Sequence, residues 1–257
     1  AIFDCGKLVS ETEQPTEEEN GTYIYFEPDK DLFLDFKFQS EFVNNMLRNY
    51  TYLNTGLAIF YNGRRIISRN GLEDLLNDSM TAPGLYPIVH LKGDGIDIAF
   101  THTSQYGEEY YSFVNGQHTT QGGTHQSAFK EHIARTIKEY FGKNFDVQDV
   151  RNGLVAAIAI RVIEPLFESQ TKNKLGNTEV RSWIVAETKS AVDDFLHKNP
   201  EVANLLQQKI EANEKLRTEL NTVKKEAKEA ARKISIRIPK LDDCRFHQEK
   251  KKKAKTQ

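Results

Sequence analysis

The chain has 257 residues, 38% hydrophobic and 28% charged; these are ordinary proportions for a soluble chain that can bury a core, as one large domain or two modest ones. Cys5 and Cys244 stand near opposite ends and match no metal-ligand spacing, so the residues point to a reduced, cytoplasmic setting rather than a disulfide framework. No segment resembles a signal peptide, and the longest apolar run, LVAAIAI at 154–160, is far too short to cross a bilayer, so no membrane role follows. The net charge of -2 is uneven: from Glu201 onward 16 Lys and Arg face 9 Asp and Glu, leaving residues 1–200 at -9. The closing KKKKAKTQ reads as a solvated terminus or as a contact for nucleic acid.

In chain order, residues 1–20 are acidic and read as an exposed connection. GTYIYFEPD at 21–29 predicts a short strand with Tyr23 and Tyr25 on one face and Thr22, Ile24 and Phe26 on the other. Phe38, Phe42, Met46, Leu47 and Tyr50 keep the spacing of an amphipathic helix over about 38–50. GLAIFYNGRRIIS is two β-rich runs around Asn62-Gly63, a pair suited to a type I′ hairpin turn because both positions need positive φ. NGLEDLLND predicts a short helix, and PGLYP after it marks a division at 82/83. Beyond it, YPIVHL, GIDIAFTH and EEYYSFVN are separated by turn signals and predict an antiparallel meander. Thr124 is a candidate N-cap for a helix whose buried face is Phe129, Ile133, Ile137 and Phe141 and which ends at Gly142. A connector DVQDVRNG leads into a buried strand at 154–163. Val180, Ile184, Ala191 and Phe195 then mark a helix over about 178–198.

The last helix, 201–234, has a different grammar. Leu216, Leu220, Val223, Ala227, Ala230 and Ile234 recur in alternating steps of four and three on an otherwise charged helix, which suits an arm lying on a neighbour or a solvated helix laced with ion pairs. PLFESQTKNK at 165–174 joins the buried strand to the helix before the arm. By residue type alone a lysine among Ser, Gln, Thr and Asn is a solvated surface residue. His118, His125 and His132 could be weighed as metal ligands, but the last two are seven apart on a helix and no carboxylate motif accompanies them, so no metal ligand is assigned. His125 instead reads as a structural residue near the helix start.

GGTH at 122–125, RNGL at 151–154, QTK at 170–172, KLG at 174–176 and KLDDC at 240–244 resemble, in this order, the transducer region of the ATPase subunit (the B-type subunit) of bacterial type IIA DNA topoisomerases, closer to the topoisomerase IV branch than to gyrase. The resemblance implies an α+β or α/β chain with four parts. Residues 1–82 would be the C-terminal portion of a GHKL-type ATPase domain, and 83–200 a transducer similar in fold to ribosomal protein S5 domain 2. Residues 201–234 would be a long exit helix and 235–257 a linker toward a metal-binding TOPRIM domain. Lys172 would contact the terminal phosphate of ATP with Gln170 beside it, and Thr22 and Ile24 would lie at the adenine pocket. Loop position could then follow hydrolysis, since ADP removes the partner of the lysine.

The motifs that precede this region in the family, an asparagine-bearing helix with a catalytic glutamate, an adenine motif and a glycine-rich lid, are not found. The chain therefore reads as a middle fragment, inactive by itself, with no ligands of its own for the Mg2+ of the intact enzyme. The implied partners are double-stranded DNA held without sequence preference, a cleavage subunit, and a second copy of the ATPase region. The reading of another class is an S5-like nucleic-acid-binding module without ATP coupling, which the net acidity of residues 1–200 disfavours.

Overall fold

The structure is a computed structural model that describes residues 1–17 and 20–233, with side chains as far as residue 230. At the N-terminus β1 (Ile2–Asp4) pairs antiparallel with β2 (Lys7–Ser10). Cys5 and Gly6 between them have φ of 47° and 74°, the left-handed pair that reverses a two-residue hairpin. Composition predicts an open connection here; the Cys-Gly turn flanked by IFD and KLVS was the signal for the hairpin.

No strand forms over 21–29. Among the described residues no neighbouring strand offers this segment backbone partners, and Tyr23 and Ile24 are 89% and 78% exposed. A single turn, α1 (Lys30–Phe33), follows. Next, α2 (Ser40–Leu53) confirms the expected helix, but the side it buries belongs to its last turn, through Thr51 and Tyr52. Its aromatic stripe stays in solvent, with Phe42 67% and Met46 61% exposed. The strands β3 (Ala58–Tyr61) and β4 (Arg64–Ile67) form the expected hairpin, with positive φ at both Asn62 and Gly63.

After α3 (Leu72–Ser79) the chain enters a five-stranded sheet made of β5 (Val89–Gly93), β6 (Ile96–His102), β7 (Glu109–Val114), β8 (Gln117–His118) and, later, β9 (Leu154–Ile160). The order is β5-β6-β9-β7-β8, so the meander expectation holds only for β5 and β6. LVAAIAI carries no polar side chain and is buried on both faces, which makes it the central strand. It lies antiparallel to β6 and parallel to β7. The third β run is thereby displaced to the far side.

One face of this sheet is covered by α4 (Thr124–Phe141) and α6 (Val180–Lys198), around a core containing Ile98, Phe100, Phe129, Ile133, Ile158 and Ile184. The other face receives α3. Leu72, Leu75 and Leu76 pack with Tyr52 against Ala99, Phe113, Val155 and Ala157; each such leucine contributes about 1.5–3 kcal/mol by leaving water. The helix just before 82/83 thus shares a core with the sheet that follows it.

Gly142, at φ 60°, ends α4 as expected, whereas its N-cap is Gly123, with Thr124 the first helical residue. On α6 the buried positions are Val180, Ile184, Thr188, Val192 and Leu196, an unbroken i, i+4 row. Ala191 and Phe195 lie one step off that row and are half-buried.

The connector before β9 is a short helix, α5 (Val147–Arg151), capped by the Asp146 carboxylate. The last helix, α7 (Pro200–Lys233), buries Ala203, Leu206, Ile210 and Asn213 against the body. Its outer stripe of Leu216, Leu220, Val223, Ala227 and Ala230 is exposed. Ile234, KLDDC and the linker at 235–257 lie outside the described residues.

Candidate functional site

The loop carrying Gln170 and Lys172 leaves the end of β9 and returns to α6, and it is tied down at three levels. At its root, Asn115 holds Val162 at both ends, donating to the carbonyl at 2.7 Å and accepting from the N–H at 2.8 Å. In the middle, Gly176 N–H donates to Leu166 O at 2.8 Å and Glu168 N–H to Lys174 O at 3.0 Å, so 166–168 and 174–176 run as a narrow hairpin. The buried amide of Asn177 closes its open end, accepting from Leu166 N–H at 2.6 Å and donating to Glu164 O at 3.1 Å. At the tip, Lys172 N–H returns to Ser169 O at 3.0 Å, and Lys172 itself has φ 57°. A left-handed lysine is uncommon and is held here by the turn it closes.

The same hairpin is stitched to GGTH. Leu175 N–H donates to Gly122 O, Thr124 N–H to Leu175 O (both 3.1 Å), and Gln121 N–H to Asn173 O at 2.9 Å. Leu175 is therefore shared between two extended segments and is fully buried. Such an approach needs glycine: a Cβ on Gly123 would stand 2.5 Å from both the N and the O of Leu175. GGTH and KLG, apart in sequence, are two sides of one joint.

Behind this joint His125 is fully buried; its Nε2 lies 3.3 Å from Thr119 Oγ1, while Nδ1 has no partner. Burial pushes its pKa down to about 4, so the ring is neutral at pH 7 and serves the joint as a packed residue. His118 stacks on Phe113 with ring centroids 4.9 Å apart, and His132 lies 3.9 Å from Glu131. Among the described residues no group of three or more His, Cys, Asp or Glu could hold a metal ion, and no helix is long and apolar enough to cross a membrane.

The tip side chains are presented outward. Gln170 and Lys172 are exposed, and neither the amide nor the ammonium has a hydrogen-bond or ion-pair partner among the described residues. Lys174, two residues on, is paired with Glu168 at 3.0 Å. The fold thus distinguishes the two lysines: Lys174 is paired within the hairpin and the Lys172 ammonium is unpaired among the described residues. Thr22 and Ile24 lie in the exposed segment before α1, and among the described residues no hydrogen bond joins that segment to the loop. Arg161, where the loop begins, lines a cleft of about 780 Å³ with Tyr50, Asn54, Lys92 and Asn115; Thr22 and Ile24 do not line it.

RNGL sits at the opposite end of β9. Asn152 Oδ1 accepts from Gly107 N–H at 2.7 Å, and Gly153 donates to Gly107 O at 2.6 Å. A Cβ on Gly153 would meet Thr103 O at 2.5 Å. The motif fastens the 103–107 turn to the start of the central strand. Residue types alone did not reveal Asn177, Asp149 or Arg217, because each works through a partner distant in sequence.

The family model for DNA gyrase B matches residues 40–229. The chain is 43% identical over 248 residues to the B-type subunit of DNA topoisomerase 4 from Borreliella burgdorferi, covering 96% of this chain and 41% of that protein. It is 32% identical to the B-type subunit of DNA gyrase from Clostridium acetobutylicum, covering 94% and 42%. The chain thus spans about two fifths of the length of these relatives.

In fold it is similar to the 43K ATPase domain of Thermus thermophilus gyrase B, solved with an aminocoumarin, at a TM-score of 0.65 and 22% identity over 78% of this chain and 60% of that one. It is also similar to the topoisomerase IV ATP binding domain of Francisella tularensis, solved with a small molecule inhibitor, at 0.62 and 25% over 74% and 57%. With its mixed α/β architecture and a family match across most of its length, this chain belongs to the DNA gyrase B family, the B-type subunits of type II DNA topoisomerases.

Proposed function

We propose that the chain couples nucleotide state to motion in an ATP-dependent type II DNA topoisomerase of the cytoplasm, with residues 83–200 as the transducer and Lys172 as its nucleotide-facing cation. The observation that carries this reading is the contrast at the loop tip: Lys172 is exposed and its ammonium has no partner among the described residues, on a turn braced by Leu175 and Asn177, while its neighbour Lys174 is paired with Glu168. An ammonium so placed stabilises the oxygens of a terminal phosphate as a point charge and loses its partner when that phosphate leaves. Gln170 offers an amide donor beside it. In this reading Thr22 and Ile24 would meet the adenine only with further protein around them, and Mg2+ would take its ligands outside this chain.

The transported duplex would be gripped through its backbone, without sequence preference. A cleavage subunit and a second copy of the ATPase region complete the assembly. The greater identity to a topoisomerase 4 relative than to a gyrase relative, 43% against 32%, favours decatenation over supercoiling.

The test is Lys172→Ala in the intact subunit assembled with its partner. ATP hydrolysis should fall about 100-fold, the usual effect of deleting one such cation or donor, and strand passage should fall with it. Unchanged hydrolysis would return Lys172 to the solvated surface. Tight, steeply salt-dependent DNA binding by residues 80–200 would favour the S5-like nucleic-acid module instead.

A further inference from the structure

The strand that feeds the Lys172 loop at one end begins, at the other, beside the middle of α7, where the exposed half of that helix starts. There α5 and α7 are locked together by three side chains. Asp149 is buried, and Arg217 grips its carboxylate with two prongs, Nε to Oδ1 at 2.8 Å and Nη2 to Oδ2 at 2.8 Å. One turn earlier on α7, the buried Asn213 amide donates to two backbone carbonyls of the α5 end, Asp149 O at 2.8 Å and Asn152 O at 3.0 Å. Both carbonyls belong to the segment that leads through Gly153 into β9.

Past Arg217 the helix runs in the open: residues 218–230 are all exposed. The 16 residues from Thr218 to Lys233 form a cantilever about 24 Å long, so 10° of play at its root would move its tip by about 4 Å.

Nothing further down the described helix holds its direction, and a bidentate Arg–carboxylate pair fixes angle as well as distance. The central strand, buried on both faces, is a stiff element about 20 Å long between the loop and this joint. We infer that Asp149, Asn213 and Arg217 form the joint through which the sheet sets the direction of the α7 arm, making them positioning residues for the transfer of loop position to the arm. What the loop senses rests on the function proposed above; the joint itself does not.

Two measurements test it. In the full 257-residue chain with Cys5→Ser and Cys244→Ser, spin labels at Ser190→Cys and Glu226→Cys report the arm's direction against the body. Arg217→Ala should broaden the distance distribution at least twofold, Arg217→Lys should broaden it less, and far-UV circular dichroism should stay unchanged. In the intact subunit with its partner, Arg217→Ala should keep ATP hydrolysis within about twofold while strand passages per ATP drop tenfold or more. An unbroadened distribution, or hydrolysis and passage falling in constant ratio, overturns the inference. Because the label measurement needs no nucleotide, it judges the joint even where Lys172→Ala has refuted the sensing role of the loop.

Discussion

Gly123 and His102 show how single residues here act through what surrounds them. Gly123 has φ 137° and no room for a Cβ beside Leu175, so Gly123→Ala should cost about 2–3 kcal/mol and lower the melting temperature by roughly 5–10 °C. A loss under 1 kcal/mol in urea unfolding would show that the joint can open to admit a methyl group. His102 is fully buried between Val150 O, 2.9 Å from Nε2, and the Tyr86 hydroxyl, 2.6 Å from Nδ1. A carbonyl only accepts, so Nε2 carries the proton and Nδ1 accepts from the Tyr86 O–H. Burial, with a smaller push from Lys209, lowers its pKa to about 4. A histidine depressed on folding stabilises the fold above its unfolded pKa, near 6.5, and that stability is lost as pH falls toward 4. At pH 5 the loss amounts to about 2 kcal/mol for His102 and a similar amount for His125. His102→Gln should be less stable at pH 7 but lose less between pH 7 and 5; parallel pH profiles for wild type and variant would count against the assignment.

At the scale of elements, α3 is the informative case, since it lies before the expected 82/83 division yet supplies Leu72, Leu75 and Leu76 to the sheet. Leu76→Ala should cost about 3 kcal/mol and should speed amide exchange in β9 as well as in α3. Protection lost in α3 alone would make residues 1–82 an independent unit. The helices α4 and α6, the Asn62-Gly63 hairpin and the central strand were legible because each is declared locally, by period, cap or turn pair. The strand order was not, because β9 wins the centre of the sheet by being apolar on both faces, a competition among strands that no single window contains. For the same reason the 21–29 segment, strand-like in residue type, finds no partner among the described residues. At the candidate site the proposal for the loop lysine rests on motif order, and the bracing of its loop was not legible: Asn177 and Leu175 matter only once 166–168 and GGTH lie on either side of them.

For the molecule as a whole, burial is concentrated between Leu72 and Arg217, and the residues before α3 carry a surface of a different kind. Phe38 packs edge to face on both Phe26 and Phe36, with centroids 6.0 and 4.9 Å away, while all three stay largely in solvent along with Phe42 and Met46. A cluster of exposed rings makes a chain adhesive, because their mutual contacts hide only a small part of their apolar surface. The 257-residue chain alone should therefore bind a hydrophobic dye strongly and self-associate at micromolar concentration. The triple variant Phe36→Ser, Phe38→Ser and Phe42→Ser should abolish most of both effects. Since these rings belong to no hydrophobic core among the described residues, the variant should keep its melting temperature within about 2 °C of wild type, against the roughly 6–12 °C loss that Leu76→Ala implies. A drop as large as that of the leucine variant would place the aromatic cluster inside the cooperative core, and dye binding equal to wild type would locate the adhesive surface elsewhere, with the exposed stripe of α7 the next place to examine.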